Sequence, residues 1–212
     1  MGAPLHLVVA LSGASGVRYG LRLLRVVHAA GIRVSVIVSA GAARVAAIEE
    51  GVQLDPESPD PRVLLGLSAD APEPERIRGV AISDIAAAVC SGTHPTAAMI
   101  VAPCSMGTLA RIAAGTSMNA LERSADVMLK EGRPLVLVPR ETPLSRIHLE
   151  NMLRVHDAGA ALVPAMPGFY AQPETIDDLV DQVVTKVLDR LGPGWPSLPS
   201  DLIRRWKTPP AT

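Results

Sequence analysis

Short apolar runs alternate along this chain with longer stretches in which apolar residues recur every three or four positions. Residues 5–11 (LHLVVAL) are almost continuously apolar, as in a strand buried on both faces. Over 17–30, Leu21, Leu24 and Val27 fall on one helical face, and Gly31 closes the pattern. The same logic predicts a strand at 33–38 and a helix at 40–50, ended by Gly51. Further strands are predicted at 98–102 (AMIVA), 134–138 (PLVLV) and 160–163. Further helices are predicted at 108–114, 120–131, 145–158 and 175–191. Strands that alternate with helices imply an α/β fold with a mostly parallel sheet covered on both faces.

Residues 54–75 break the rhythm, being rich in Pro, Asp and Glu. They predict a loop with a short helix at 62–67, followed by a weak strand at 80–82. No internal repeat is visible. From Pro193 the chain becomes a Pro-rich tail carrying Trp195 and Trp206, for which a single α/β domain offers no obvious home. This divides the chain into a domain at 1–192 and a tail at 193–212, whose tryptophans fit contact with another copy, cover over a site, or a loosely docked terminus.

Composition narrows the class. The chain has 212 residues, 48% of them hydrophobic, which suits one well-filled core. With 20 basic and 21 acidic residues and no basic run, nucleic acid is a poor partner. Aromatic residues make up 2%, too few for base-stacking platforms. No apolar run reaches membrane-spanning length, and the first residues lack the charged start of a signal peptide. Cys90 and Cys104 form no C-x-x-C pair and are expected as reduced thiols of a cytoplasmic protein, with neither disulfide nor metal site.

Candidate chemistry gathers in the turns that follow strands. Ser12-Gly13-Ala14-Ser15-Gly16 joins the first strand to its helix, where small residues let backbone approach a ligand and helix N–H groups can meet an anion. Its glycine spacing is not G-x-G-x-x-G, and the second strand ends in Ser39 rather than an acidic residue, so a dinucleotide fits poorly. A mononucleotide phosphate fits better. The turn Pro103-Cys104-Ser105-Met106-Gly107-Thr108 repeats the arrangement, and Ser91-Gly92-Thr93-His94 is a further polar turn. Arg123 and Lys130 are seven residues apart on one helix, Arg140-Glu141 follows a strand, and Tyr170 ends another turn. On spacing alone these charges could be a solvated face, a helix cap, or a group converging on a phosphate.

Taken together, these segments resemble the UbiX-like flavin prenyltransferases. The matching residues include Gly13-Ala14-Ser15-Gly16 with Tyr19-Gly20, Ser39, Glu49, Ser91-Gly92, and Ala102 through Met106 with Thr108-Leu109. They continue through Asn119, Glu122-Arg123, Ala125-Asp126-Val127 and Leu129-Lys130-Glu131, then the specific stretch RPLVLVPRETPL at 133–144 and Ile147 through Leu153, and close at Pro167-Gly168-Phe169-Tyr170. Gly132, Ala120 and Thr93-His94 depart from the usual pattern.

The resemblance implies a three-layer Rossmann-like or flavodoxin-like fold and a metal-independent transfer of a dimethylallyl group from dimethylallyl monophosphate to reduced FMN. The product, prenylated FMN, would serve a UbiD-like decarboxylase, and the chain would form a homo-oligomer, commonly a dodecamer, with sites between subunits. The resemblance further implies that Gly13, Ala14, Ser15, Ser39, Ser105, Met106, Gly107, Thr108 and Arg140 bind FMN. Arg123, Lys130, Arg140, Tyr170 and Lys186 would grip the prenyl phosphate, and Trp206 would cover the prenyl group. Ser15, Glu49 and Glu141 would handle protons. Two alternatives stand beside this: an FMN-dependent cysteine or peptidyl-cysteine decarboxylase with His94 as base, and a non-catalytic flavin-delivery subunit.

Overall fold

The structure, a computed structural model, describes residues 5–192 and Trp195. Among these residues six strands form one sheet: β1 (His6–Leu11), β2 (Arg33–Val38), β3 (Ile77–Val80), β4 (Ala98–Cys104), β5 (Leu135–Pro139) and β6 (Ala161–Leu162). Their order is β3-β2-β1-β4-β5-β6, and every pairing is parallel. Each connection therefore crosses a face of the sheet, as the alternating pattern requires. The helices of the described residues are α1 (Val17–Ala29), α2 (Ala40–Glu49), α3 (Pro61–Leu65), α4 (Met106–Ala113), α5 (Ala120–Lys130), α6 (Arg146–Asp157) and α7 (Ile176–Asp189), with a 3-10 turn at Ala88–Cys90.

Two hydrophobic layers sandwich the sheet. Leu7, Val9 and Leu11 of β1 face a layer built from α1, α2, α3 and α7, while Val8 and Ala10 face a layer built from α4, α5 and α6. Burial on both sides explains why β1 reads as continuously apolar rather than alternating. Cys90 and Cys104 are free and buried, and burial pushes the Cys104 thiol up to about 12. No helix among the described residues is long and apolar enough to cross a membrane.

The structure changes three expectations. The edge strand is at Ile77–Val80 rather than 80–82, because its pairing with Val34–Ile37 fixes the register. The short helix is Pro61–Leu65, begun by the Asp60 side chain, which accepts the Arg62 N–H, with Pro61 beside that cap. Trp195 is 9% exposed and packs in the α1–α7 layer, so this tryptophan does have a home in the core. Trp206 lies outside the described residues.

The parallel sheet sorts residues by edge. Ser12, Ser39, Ser105, Arg140 and the 163–170 segment follow strand C-termini and share one edge. His6, Arg33, His94 and Arg133 flank strand N-termini and lie at the other. Strand order reverses between β1 and β4, and open sheets of this type bind ligands at that crevice.

Helix α1 runs close beneath that crevice. A Cβ on Gly20 would stand 2.2 Å from the Ala102 carbonyl oxygen and 2.9 Å from Leu11 Cγ. Backbone cannot yield there as a side-chain tip can, so Gly20→Ala is expected to cost about 1–3 kcal/mol. Urea unfolding should show a lower midpoint at unchanged slope. An unchanged midpoint would mean that α1 can shift away from β4 freely.

Candidate active site

Three strand-end turns are tied into one crevice. Ser12 is fully buried; its hydroxyl donates to the Pro103 carbonyl (3.1 Å) and accepts the Ser105 N–H (2.7 Å). These bonds clamp the turn after β1 to the turn after β4 across the switch point. Gly13 meets Gly41 so closely that a Cβ on Gly13 would be 2.9 Å from Gly41 Cα. That approach brings the start of α2 against the first turn. Ser39 caps α2 by accepting the Ala42 N–H, and Ser105 caps α4 by accepting the Thr108 N–H. The remaining first-turn N–H groups of both helices have no acceptor within their own helix, and both helix starts lie at the same edge.

The start of α1 is arranged differently. The Gly16 N–H donates to Glu49 Oε2 at 2.8 Å, and the Ser15 hydroxyl and Val17 N–H are also hydrogen-bonded to that carboxylate. An anion at this N-terminus would meet a resident carboxylate, so phosphate is better served by α2 and α4 than by the 13–16 turn alone. Burial would raise the Glu49 pKa, but the Ser15, Gly16 and Val17 donors and the Arg140 charge outweigh it and hold the carboxyl below its ordinary value. Arg140 Nε donates to the Ser15 carbonyl at 3.3 Å. Ser15, Glu49 and Arg140 are thus brought together.

Other candidate residues take more specific places. Met106 packs into the α4–α6 core layer, so it can offer a ligand only backbone. The Thr108 hydroxyl accepts from Ser105 Oγ (3.1 Å) and Arg111 Nη2 (3.3 Å) and is buried. Glu141 is exposed, and its Oε1 accepts the Thr142 N–H at 3.1 Å. It does not cap α6, because Ser145 and His148 cap that helix reciprocally. With Arg140, Leu144 and Met166 it lines a cavity of about 460 Å³. Met166 also borders a second cavity, of about 210 Å³, with Gly168, Tyr170, Gln182 and Lys186.

Arg123 and Lys130 do not join this group within one chain. Arg123 donates to Asp126 at 2.7 Å, and Lys130 pairs with Glu131. Lys130 lies against Gly92, whose carbonyl accepts from Arg133 at 2.6 Å, beside the N-terminal edge of the sheet. The length of β5, on the order of 15 Å, separates that edge from Arg140. Helix α5 lines neither cavity. His94 lies at the same far edge, with Nε2 3.0 Å from His6 Nδ1. Within one chain, Arg123 and Lys130 therefore do not meet Arg140.

Ser12, Gly41 and Gln182 escaped assignment from sequence. Ser12 was visible as a small polar residue ending an apolar run. Gln182 was visible as a polar residue flanked by Val180, Val183 and Val184. Nothing local marked Gly41, because its role depends on Gly13.

Comparison with known proteins agrees with this geometry. The Flavoprotein family model matches residues 2–188. Flavin prenyltransferase UbiX of Methanothermobacter thermautotrophicus is 43% identical over 200 residues, covering 94% of this chain and 94% of that protein. The crystal structure of AnUbiX in complex with FMN and dimethylallyl pyrophosphate superposes with a TM-score of 0.82 at 37% identity, covering 97% of this chain and 99% of that one. A dodecameric FMN-dependent UbiX-like decarboxylase from Escherichia coli superposes with a TM-score of 0.76 at 41% identity, covering 88% and 94%.

Glu49 gives a pH signature. Its carboxyl is held below the ordinary value of 4.5, so its stabilising effect is present above that value and is lost as pH falls through the folded-state value. Glu49→Gln should be less stable than the parent at about pH 7, and the gap should close towards about pH 3. Urea midpoints across that range measure it. An equal gap at both ends would show that charge is not what holds the start of α1.

Proposed function

The chain belongs to the flavoprotein family and, within it, to the UbiX-like flavin prenyltransferases, and from that premise we propose how its residues divide the work. The enzyme transfers a dimethylallyl group from dimethylallyl monophosphate to reduced FMN, making prenylated FMN. The observation that carries this reading is the bond from Arg140 to the Ser15 carbonyl, which joins the charged 140–141 turn to the small-residue crevice.

The crevice suits a flavin mononucleotide. Gly13 and Gly41 let the first turn and the start of α2 meet backbone to backbone at the crevice, the α2 and α4 N-termini offer amides to one phosphate, and Ser39 follows β2 where a dinucleotide would need an acidic residue. Gly13, Ala14, Ser15, Ser39, Ser105, Gly107, Thr108 and Arg140 would line the flavin, with Met106 contributing backbone. Reduced FMN supplies the N5 and C6 atoms that the prenyl group joins. Arg140, Tyr170 and Lys186 would hold the prenyl phosphate and stabilise charge on the departing phosphate. Ser15 would pass protons to Glu49, which its donors keep ionised. Glu141 would serve the same purpose at the phosphate.

Arg123 and Lys130 would come from a neighbouring copy. Their distance from Arg140 within one chain supports this, as do exposed apolar residues that an assembly would cover: Ile147 (68%), Leu149 (53%) and Phe169 (74%). The described oligomer of the Escherichia coli relative supports a homo-oligomer, and we take the dodecamer as the form here. The product would pass to a UbiD-like decarboxylase in the cytoplasm, where the two free thiols would stay reduced.

Anaerobic incubation with reduced FMN and dimethylallyl monophosphate should yield flavin heavier by one prenyl unit in mass spectrometry. Recovery of unmodified FMN would overturn the assignment, and carbon dioxide release from a cysteine-ending peptide would favour the decarboxylase alternative. Lys130→Ala and Arg140→Ala should each slow product formation at least about 100-fold. Co-expressed, the two variants should regain activity, since mixed assemblies contain sites with both intact residues. Absence of recovery would mean that each chain builds its own site. Glu141→Gln should keep prenyl phosphate affinity while slowing product formation about 100-fold, measured by stopped-flow absorbance. A parent-like rate would leave Glu141 without a proton-transfer role.

A further inference from the structure

Helix α7 turns Val180, Val183, Val184, Val187 and Leu188 into the core. Two polar residues share this buried region. Thr185 returns its hydroxyl to the Asp181 carbonyl at 2.7 Å, as buried polar groups usually must. Gln182 does not: it is 4% exposed, and its Nε2 has no hydrogen-bond partner among the described residues. His28 Nδ1 and Thr96 Oγ1 are also unpartnered, but neither residue lines the cavities at the active edge. Gln182 lines the 210 Å³ cavity with Tyr170 and Lys186.

The geometry around that amide is specific. Lys186 follows Gln182 by one helical turn, so both side chains share a face. The Tyr170 ring lies against Gly168, and Gln182 Oε1 is 3.5 Å from where a Gly168 Cβ would stand. The oxygen end of the amide is thus placed at the turn. Apolar side chains, including those of Val163, Pro164 and Val183, complete the wall, and the Nε2 donor meets no acceptor among the described residues. The cavity is below the roughly 300–1,000 Å³ of drug-sized sites and suits a small ligand with an apolar end.

We propose that Gln182 is a substrate-binding residue whose amide N–H donates to a phosphate oxygen of the prenyl phosphate held between Tyr170 and Lys186. This rests on reading the cavity as the prenyl-phosphate end of the active site. The ester offers acceptors only at its oxygens, so the phosphate is the part an orphan N–H can reach for. Lys186 supplies a point charge with little directional preference, and a planar amide adds the direction that fixes the leaving group.

Gln182→Leu and Gln182→Met remove the donor at similar size. Calorimetry on protein saturated with oxidised FMN should show dimethylallyl monophosphate bound about tenfold more weakly by both, with FMN affinity unchanged. Turnover with reduced FMN should show a similar rise in KM with kcat within about twofold of the parent. Inorganic phosphate should lose potency as a competitor in proportion. The ligand-free melting temperature should hold or rise, because a buried unpaired group is gone, so weaker binding could not be put down to unfolding. Lys186→Ala separates the possible failures. If it loses prenyl phosphate while both Gln182 variants bind like the parent, the role of Gln182 is overturned and the cavity assignment stands. If neither kind of change alters binding, both fall.

Discussion

Every strand in this sheet runs the same way, and that constraint sorts the molecule's chemistry into two places. Parallel neighbours cannot be joined by a tight turn, so each strand ends in a loop that leads to a helix across a face. All strand C-termini then share an edge, together with the N-termini of the helices that leave it. The hydroxyls of Ser12, Ser39 and Ser105 fall there for that reason alone. The same sorting sends Arg133 and His94 to the opposite edge, because each precedes its strand. Ser12 then converts proximity into a site. Its one hydroxyl both donates and accepts, locking the turns of β1 and β4 where the strand order reverses.

Within the crevice, electrostatics decide which helix start takes which anion. Three helix N-termini compete there, those of α1, α2 and α4. The chain's own Glu49 carboxylate satisfies α1, with Arg140 close enough to favour its ionised form. Serine hydroxyls cap α2 and α4, and a hydroxyl brings no net charge. A dianionic phosphate would therefore be repelled at α1 and attracted at the other two. Glu49 remains beside the Ser15 hydroxyl, where a proton acceptor is useful and a phosphate would be in the way.

How far the sequence discloses this depends on the range of the interactions. β2 is found at its full extent, 33–38, because it is buried on both faces and bounded by a glycine and a serine. The edge strand at 77–80 is displaced because its residues, Ile-Arg-Gly-Val, carry a weak pattern and only its neighbour sets the register. Family motifs single out Glu49 and Arg140, but the placement of both around Ser15 is a long-range fact absent from any local window. Trp195 looks homeless in the sequence because the gap it fills is formed by α1 and α7, far apart along the chain. Gln182 is legible as a polar intruder among valines, but its missing partner can be known only from the packed core.

The separation of the cations follows a physical logic. A cleft holding Arg123, Lys130, Arg140 and Lys186 together without ligand would concentrate four positive charges, and their repulsion would oppose folding. Distributed along the chain, some find cheap local company: Lys130 with Glu131 and Arg123 with Asp126. Lys130 and Arg123 are each more than a third exposed, and surface pairs of this kind are worth about 0–1 kcal/mol. So little is lost when such a cation turns to a phosphate oxygen, whose charge-assisted bond is worth about 1.5–3 kcal/mol. In the proposed shared site, full positive charge accumulates only where copies meet and an anionic substrate is present to neutralise it. Assembly and substrate binding would then reinforce each other, because each supplies the charge that makes the other favourable.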